Sequence, residues 1–81
     1  MTENDMPLHD HFRANVRHRR QELKLTQQEL SERLQCSRPY VAQVEAGDHT
    51  PTLDLVEKFA KALKCPALAL LMAPEDAEVA V

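Results

Sequence analysis

Between His9 and Met72 the apolar residues recur at the three-and-four spacing of a helix, and the pattern breaks into five segments. In the first, Phe12, Val16 and Leu23 share one face and basic residues occupy the others. Asp10 stands at the positive end of this segment and the bases of 17–24 at its negative end, as the helix dipole favours. Thr26 then reads as the N-cap of a second helix, because Glu29 three residues later completes a capping box. This helix turns Leu30 and Leu34 inward and stops near Gln35. Ser37 is the next N-cap, and Pro39 is tolerated in the turn after it, where the backbone N–H has no intrahelical partner to lose. The third helix spans 38–46 with Val41 and Val44 inward, and Gly47 ends it in the left-handed conformation that glycine adopts freely. Thr52 caps a fourth helix with the apolar stripe Leu53, Val56, Phe59, Ala60 and Leu63. After Cys65 and Pro66, the wholly apolar run 67–72 predicts a short fifth helix.

Composition narrows the class further. The chain has 81 residues and one glycine, whereas a sheet protein of this size spends several glycines on turns, so the expected class is all-α. With Phe12, Tyr40 and Phe59 as the whole aromatic complement, the core is expected to be aliphatic. No apolar run approaches the ~18–20 residues of a membrane span. The acidic, polar stretch 1–7 has the wrong chemistry for a secretion signal, so a cytoplasmic protein is expected. The net charge of −3 at first argues against a nucleic-acid partner. Its distribution reverses that impression: residues 1–8 and 73–81 hold five acids and no bases, leaving ten bases against eight acids between them. Charge at a contact face decides a partner more than the total does. The expected organisation is a flexible acidic arm at 1–8, a folded domain at 9–73 and a flexible acidic tail at 74–81.

The second and third helices carry the functional signal. Two short helices joined by the three residues Gln35, Cys36 and Ser37 form a helix-turn-helix pattern. Leu30, Leu34, Cys36, Val41 and Val44 supply its apolar positions, and Ser31 is the small residue where the crossing helices approach. The stretch 25–47, LTQQELSERLQCSRPYVAQVEAG, resembles the lambda-repressor/Cro-like helix-turn-helix family, also called XRE. The stretch 52–63, TLDLVEKFAKAL, is similar to that family's fourth helix, and the likeness covers about residues 12–72. It implies a compact five-helix, lambda-repressor-like DNA-binding domain with the helix-turn-helix at its second and third helices. One departure stands out. The family usually has glycine where this chain has Gln35, so either Gln35 takes a positive φ at a cost of about 1 kcal/mol or the helix ends differently.

The resemblance implies that helix 38–46 enters the major groove of DNA. Arg38 is then placed to fork onto guanine O6 and N7, and Gln43 on the same face to pair with adenine or meet a phosphate. Pro39, Tyr40 and Ala42 complete the base-contacting set, Tyr40 through a thymine methyl or a phosphate oxygen. Gln27, at the start of the second helix, matches a family glutamine that meets backbone phosphate. Thr26, Ser37, His49 and Thr50 are further phosphate candidates, and Arg13, Arg17 or Arg19 would add nonspecific charge. The bland alternative for Arg38, Tyr40 and His49 is ordinary solvated surface. Arg20 and Glu45 resemble the family's internal ion pair, a structural role.

Catalytic and metal readings have no residues behind them. Cys36, Cys65, His9, His11, His18 and His49 make no matched C-x₂-C or H-x₃₋₅-H pair, and no glycine-rich phosphate loop exists, so no enzyme activity and no metal or other cofactor is expected. In the 67–72 run, Leu68 and Leu71 are expected to cover the core, leaving Leu70 and Met72, with Leu55, for a homodimer interface; a tail folding back through Val79 and Val81 is the alternative. The reading is a sequence-specific transcriptional regulator, a repressor on a palindromic operator. Its rival is an antitoxin, or other protein-binding module of a toxin–antitoxin pair, that also regulates its own operon. RNA polymerase or a toxin would be the protein partner.

Overall fold

A computed structural model describes residues 7–73; the expectations for 1–6 and 74–81 lie outside the described residues. Four α-helices appear in order: α1 (Leu8–Glu22), α2 (Gln27–Leu34), α3 (Arg38–Ala46) and α4 (Leu53–Ala62). The expected fifth helix is a 3-10 helix of four residues, Ala67–Leu70, led in by Pro66 with no side-chain cap. α1 opens one residue earlier than expected, at Leu8, with the extended Pro7 before it.

Local chemistry starts three of the helices as the sequence suggests. Thr26 Oγ1 accepts the Glu29 N–H at 3.0 Å, and the Glu29 carboxylate accepts the Thr26 N–H at 2.8 Å, closing the capping box. Ser37 and Thr52 each accept from the backbone N–H three residues on. The helix ends share a device that the sequence only partly discloses. Each of the four α-helices is followed by a left-handed residue, at Lys24 (φ 59°), Gln35 (φ 58°), Gly47 (φ 86°) and Lys64 (φ 58°). In every case the next amide reaches back to close a Schellman motif: Leu25 to Arg20 O, Cys36 to Ser31 O, Asp48 to Gln43 O and Cys65 to Ala60 O, at 2.9–3.0 Å. Gly47 is the one glycine among the four. A Cβ there would come within 2.8 Å of Arg13 Cδ, so Arg13 lies directly against the α3 terminus.

The core gathers Phe12 and Val16 from α1, Leu30 from α2, Val41 and Val44 from α3, and Val56, Phe59 and Ala60 from α4, with Leu63 and Leu70. Its centre is not purely aliphatic as expected: Phe12 and Phe59 meet edge to face with centroids 5.5 Å apart. Leu34 and Cys36 pack half-buried against this cluster. Leu53, counted in the α4 stripe from its spacing, is 77% exposed. Periodicity assigns a face, and among the described residues no neighbouring element covers Leu53 at the start of that face.

The expected roles in the closing run are interchanged. Leu70 is buried, and Leu68 is 68% exposed. Leu70 therefore covers the core and drops out of the proposed dimer face, while Leu55 and Met72 are half-buried. An all-apolar run carries no phase, so spacing could not tell which leucine points inward. Asn15 sets the phase. It is buried on the inner face of α1, and its amide donates to Leu70 O at 3.0 Å and Met72 O at 2.7 Å. A buried amide must find acceptors, and these two carbonyls anchor the closing segment against α1.

Candidate nucleic-acid interface

α2 and α3 are joined by the tight turn through Gln35, Cys36 and Ser37. Gln35 adopts φ 58°, ψ 43°, the left-handed conformation that the missing glycine would have taken without strain. Ser31 is almost fully buried where the two helices cross, and its hydroxyl donates back to Gln28 O at 2.6 Å. Small size and an internally satisfied hydroxyl allow that close crossing.

α3 presents two contrasting sides. Val41, Val44 and Glu45 are buried, whereas Arg38, Pro39 and Gln43 are exposed and Tyr40 and Ala42 half-buried. Its buried side is held by ionic contacts as well as apolar ones. Arg20 Nε and a terminal nitrogen grip Glu45 Oε2 and Oε1 at 2.7 and 3.0 Å, in the bidentate geometry that suits a guanidinium and a carboxylate. The other terminal nitrogen of Arg20 donates to Leu25 O at 2.8 Å, and the Gln27 amide donates to Glu45 Oε1 at 3.1 Å. The side chains of Arg20 and Glu45 are only 12% and 5% exposed, so this pair is largely shielded from solvent. One carboxylate thereby ties the C-terminal half of α3 to α1 and to the first turn of α2. The ion pair was legible from the resemblance; the participation of Gln27 and the Leu25 carbonyl was not.

At the flank of α3, Tyr40 and His49 stack edge to face at 5.3 Å, and the Tyr40 hydroxyl lies 3.3 Å from His49 Nε2. Burial, reinforced by the neighbouring Cys36, pushes the Tyr40 phenol above its ordinary value, so it keeps its proton at neutral pH. Burial likewise raises the Cys36 thiol, which suits a packing role and not a reactive one. The N-cap residues Thr26 and Ser37 use their oxygens as acceptors, and each exposed hydroxyl keeps a hydrogen to donate outward. Thr50 is exposed in the loop before α4.

The expected basic supplement divides. Arg17 is exposed on α1, and Arg13 lies over Gly47 while its Nε meets Asp10 Oδ1 at 3.0 Å. Arg19 is engaged elsewhere: it donates to Leu63 O at 3.0 Å and Lys64 O at 3.1 Å, at the end of α4. Arg33 from α2 takes Ala62 O at 3.0 Å. Two guanidiniums thus satisfy carbonyls at and just beyond the end of α4. Cys65 beside this cap has its thiol raised by burial, with Arg19 acting in the opposite direction. Among the described residues no three His, Cys, Asp or Glu side chains group to hold a metal ion, and no helix is long and apolar enough to cross a membrane.

Comparison with known proteins agrees with this geometry. The sequence profile described as helix-turn-helix matches residues 16–70. An uncharacterized HTH-type transcriptional regulator from Methanothermobacter thermautotrophicus is 41% identical over 52 residues, which cover 64% of this chain and 75% of that protein. The crystal structure of the hypothetical transcription factor NHTF from Neisseria superposes with a TM-score of 0.86 at 27% identity, covering 100% of this chain and 93% of that one. The clp gene regulator ClgR from C. glutamicum shares the fold, with a TM-score of 0.78 at 22% identity over 95% of this chain and 96% of that one. With α2 and α3 as its helix-turn-helix pair, this chain belongs to the helix-turn-helix (XRE-type) family of DNA-binding transcriptional regulators.

Proposed function

We propose that the chain is a repressor that binds a two-fold operator as a homodimer, laying α3 in the major groove of each half-site. One observation carries this reading: Arg38, Pro39 and Gln43 stand exposed on a helix whose opposite side is anchored by Val41, Val44 and the shielded Glu45. A reading edge must be accessible and must also keep its angle to the rest of the domain, and α3 combines both properties. Arg38, in the first turn, forks onto guanine O6 and N7, and Gln43 pairs with adenine N6 and N7. Pro39, Ala42 and the Tyr40 ring offer apolar contact to thymine methyls. Outward hydroxyl hydrogens of Thr26, Ser37 and Thr50, the second amide hydrogen of Gln27 and the imidazole of His49 serve backbone phosphates. Two α3 helices about 34 Å apart span adjacent turns of one duplex face, and occupancy there excludes polymerase.

Selection of bound fragments from random duplex DNA, followed by footprinting, tests the reading. Arg38→Ala is expected to lose ~1–3 kcal/mol of discrimination at one base position, whereas Gln27→Ala weakens all sequences alike. An unchanged sequence preference in Arg38→Ala removes α3 as the reading element.

A further inference from the structure

The exposed face of α4 has a charge order that matches itself when reversed. Asp54, Glu57, Lys58 and Lys61 fall at i, i+3, i+4 and i+7, a single stripe along the helix, and all four are exposed. The acids occupy the N-terminal half and the bases the C-terminal half. With Cys65 and Ala67 they line an open groove of about 470 Å³ between α4 and the closing segment. The stripe adjoins Leu53 in the chain, 77% exposed, and Ala67 adjoins Leu68, 68% exposed; these are two of the large apolar side chains that the described residues leave in solvent. Asp54 with Lys58 and Glu57 with Lys61 have the spacing for ion pairs within the helix. None of the four makes one, or any other polar side-chain contact, among the described residues. Their charges are available to an outside partner.

We propose that this face is the interface between two copies of the chain, with α4 packed antiparallel on the partner's α4 about a two-fold axis passing between Glu57 and Lys58. That axis sets Asp54 opposite Lys61 of the partner subunit and Glu57 opposite Lys58 of the partner subunit, and each pairing recurs by symmetry. A two-fold interface must be self-complementary, and a helix acidic in one half and basic in the other meets that condition only when antiparallel to its copy. The charges set orientation and exclude the parallel arrangement, which would place like charges together. Leu53 and Leu68 provide the apolar area that exposed ion pairs alone do not supply. The proposal rests on the homodimer of the preceding section and supplies the face that buried Leu70 cannot.

Sedimentation of the full chain without DNA tests it through two variants, the all-basic Asp54→Lys/Glu57→Lys and the all-acidic Lys58→Glu/Lys61→Glu, with circular dichroism to confirm folding. The unaltered chain is expected at twice its 9.2 kDa mass. Each variant alone is expected to dimerise at least about 100-fold more weakly, since four symmetric contacts turn repulsive, and an equimolar mixture is expected to recover the dimer. Should either variant fail to fold, the unaltered dimer answers instead: its dissociation constant should rise severalfold between about 0.05 and about 0.5 M NaCl. Dimers of either variant alone, a mixture that stays monomeric, or a salt-insensitive dimer each overturn this face while leaving a homodimer in place. An unaltered chain that stays monomeric without DNA overturns this face too, and the role of α3 is judged separately by the Arg38→Ala footprint.

Discussion

Gln35→Gly should stabilise the domain, because Gln35 holds a left-handed backbone that glycine adopts without a Cβ clash. At φ 58° the side-chained residue bears a cost of roughly 1–2 kcal/mol. Glycine removes that cost but gives the unfolded chain more freedom, which returns about 0.4–1 kcal/mol. At the middle of both ranges the net gain is about 0.5–1 kcal/mol. Gln35 is the cleanest of the three side-chained positions, since its exposed side chain makes no hydrogen bond among the described residues, whereas the Lys64 carbonyl is held by Arg19. For a domain of this size the gain corresponds to a rise of about 2–8 °C in Tm, readable by thermal circular dichroism and by the urea midpoint. Gln35→Ala is the control: alanine removes the same side-chain atoms and keeps the Cβ, so it should give no gain. Glycine and alanine variants of equal stability would refute the strain account and mean that Gln35 occupies this conformation without penalty.

Three further perturbations probe the anchors of α3 and of the closing segment. Glu45→Ala leaves the Arg20 guanidinium shielded with only Leu25 O for company, and should cost about 3 kcal/mol by urea denaturation; a loss below about 1 kcal/mol would mean that the pair is effectively solvated. Asn15→Ala removes two hydrogen bonds worth about 1 kcal/mol each, so the Leu71 amide should lose hydrogen-exchange protection ahead of the α2 amides, and simultaneous loss would contradict a separately anchored segment. Alkaline pH should also destabilise the fold. Cys36 and Cys65 have folded values raised above the ordinary 9.0, so the unfolded chain releases these protons first and stability falls as pH rises beyond that point. Tyr40, raised above 10.0, extends the loss upward, and a urea midpoint that is flat from about pH 8 to about pH 10.5 would contradict it.

What the sequence could determine was local, or close to it. Thr26, Ser37 and Thr52 lie three residues from the amides that they cap, so their helix starts are written in short-range chemistry. The spacing of Leu30, Val41 and Val44 likewise identified the inward sides of α2 and α3, and left Arg38, Pro39 and Gln43 on the open edge. Tertiary structure decided whatever depended on partners distant in the chain. Asn15 chose Leu70 over Leu68 for the core by binding carbonyls more than fifty residues away. Arg19 went to the end of α4 because carbonyls there accept its N–H groups, though its sequence neighbourhood suggested only nonspecific charge. Lys24 and Lys64 became left-handed because the chain had to turn back onto its core at those points, a demand on the backbone that neither side chain advertises. Periodicity carries a residue's angle around its own helix, but which neighbour covers that angle is a property of the packed whole.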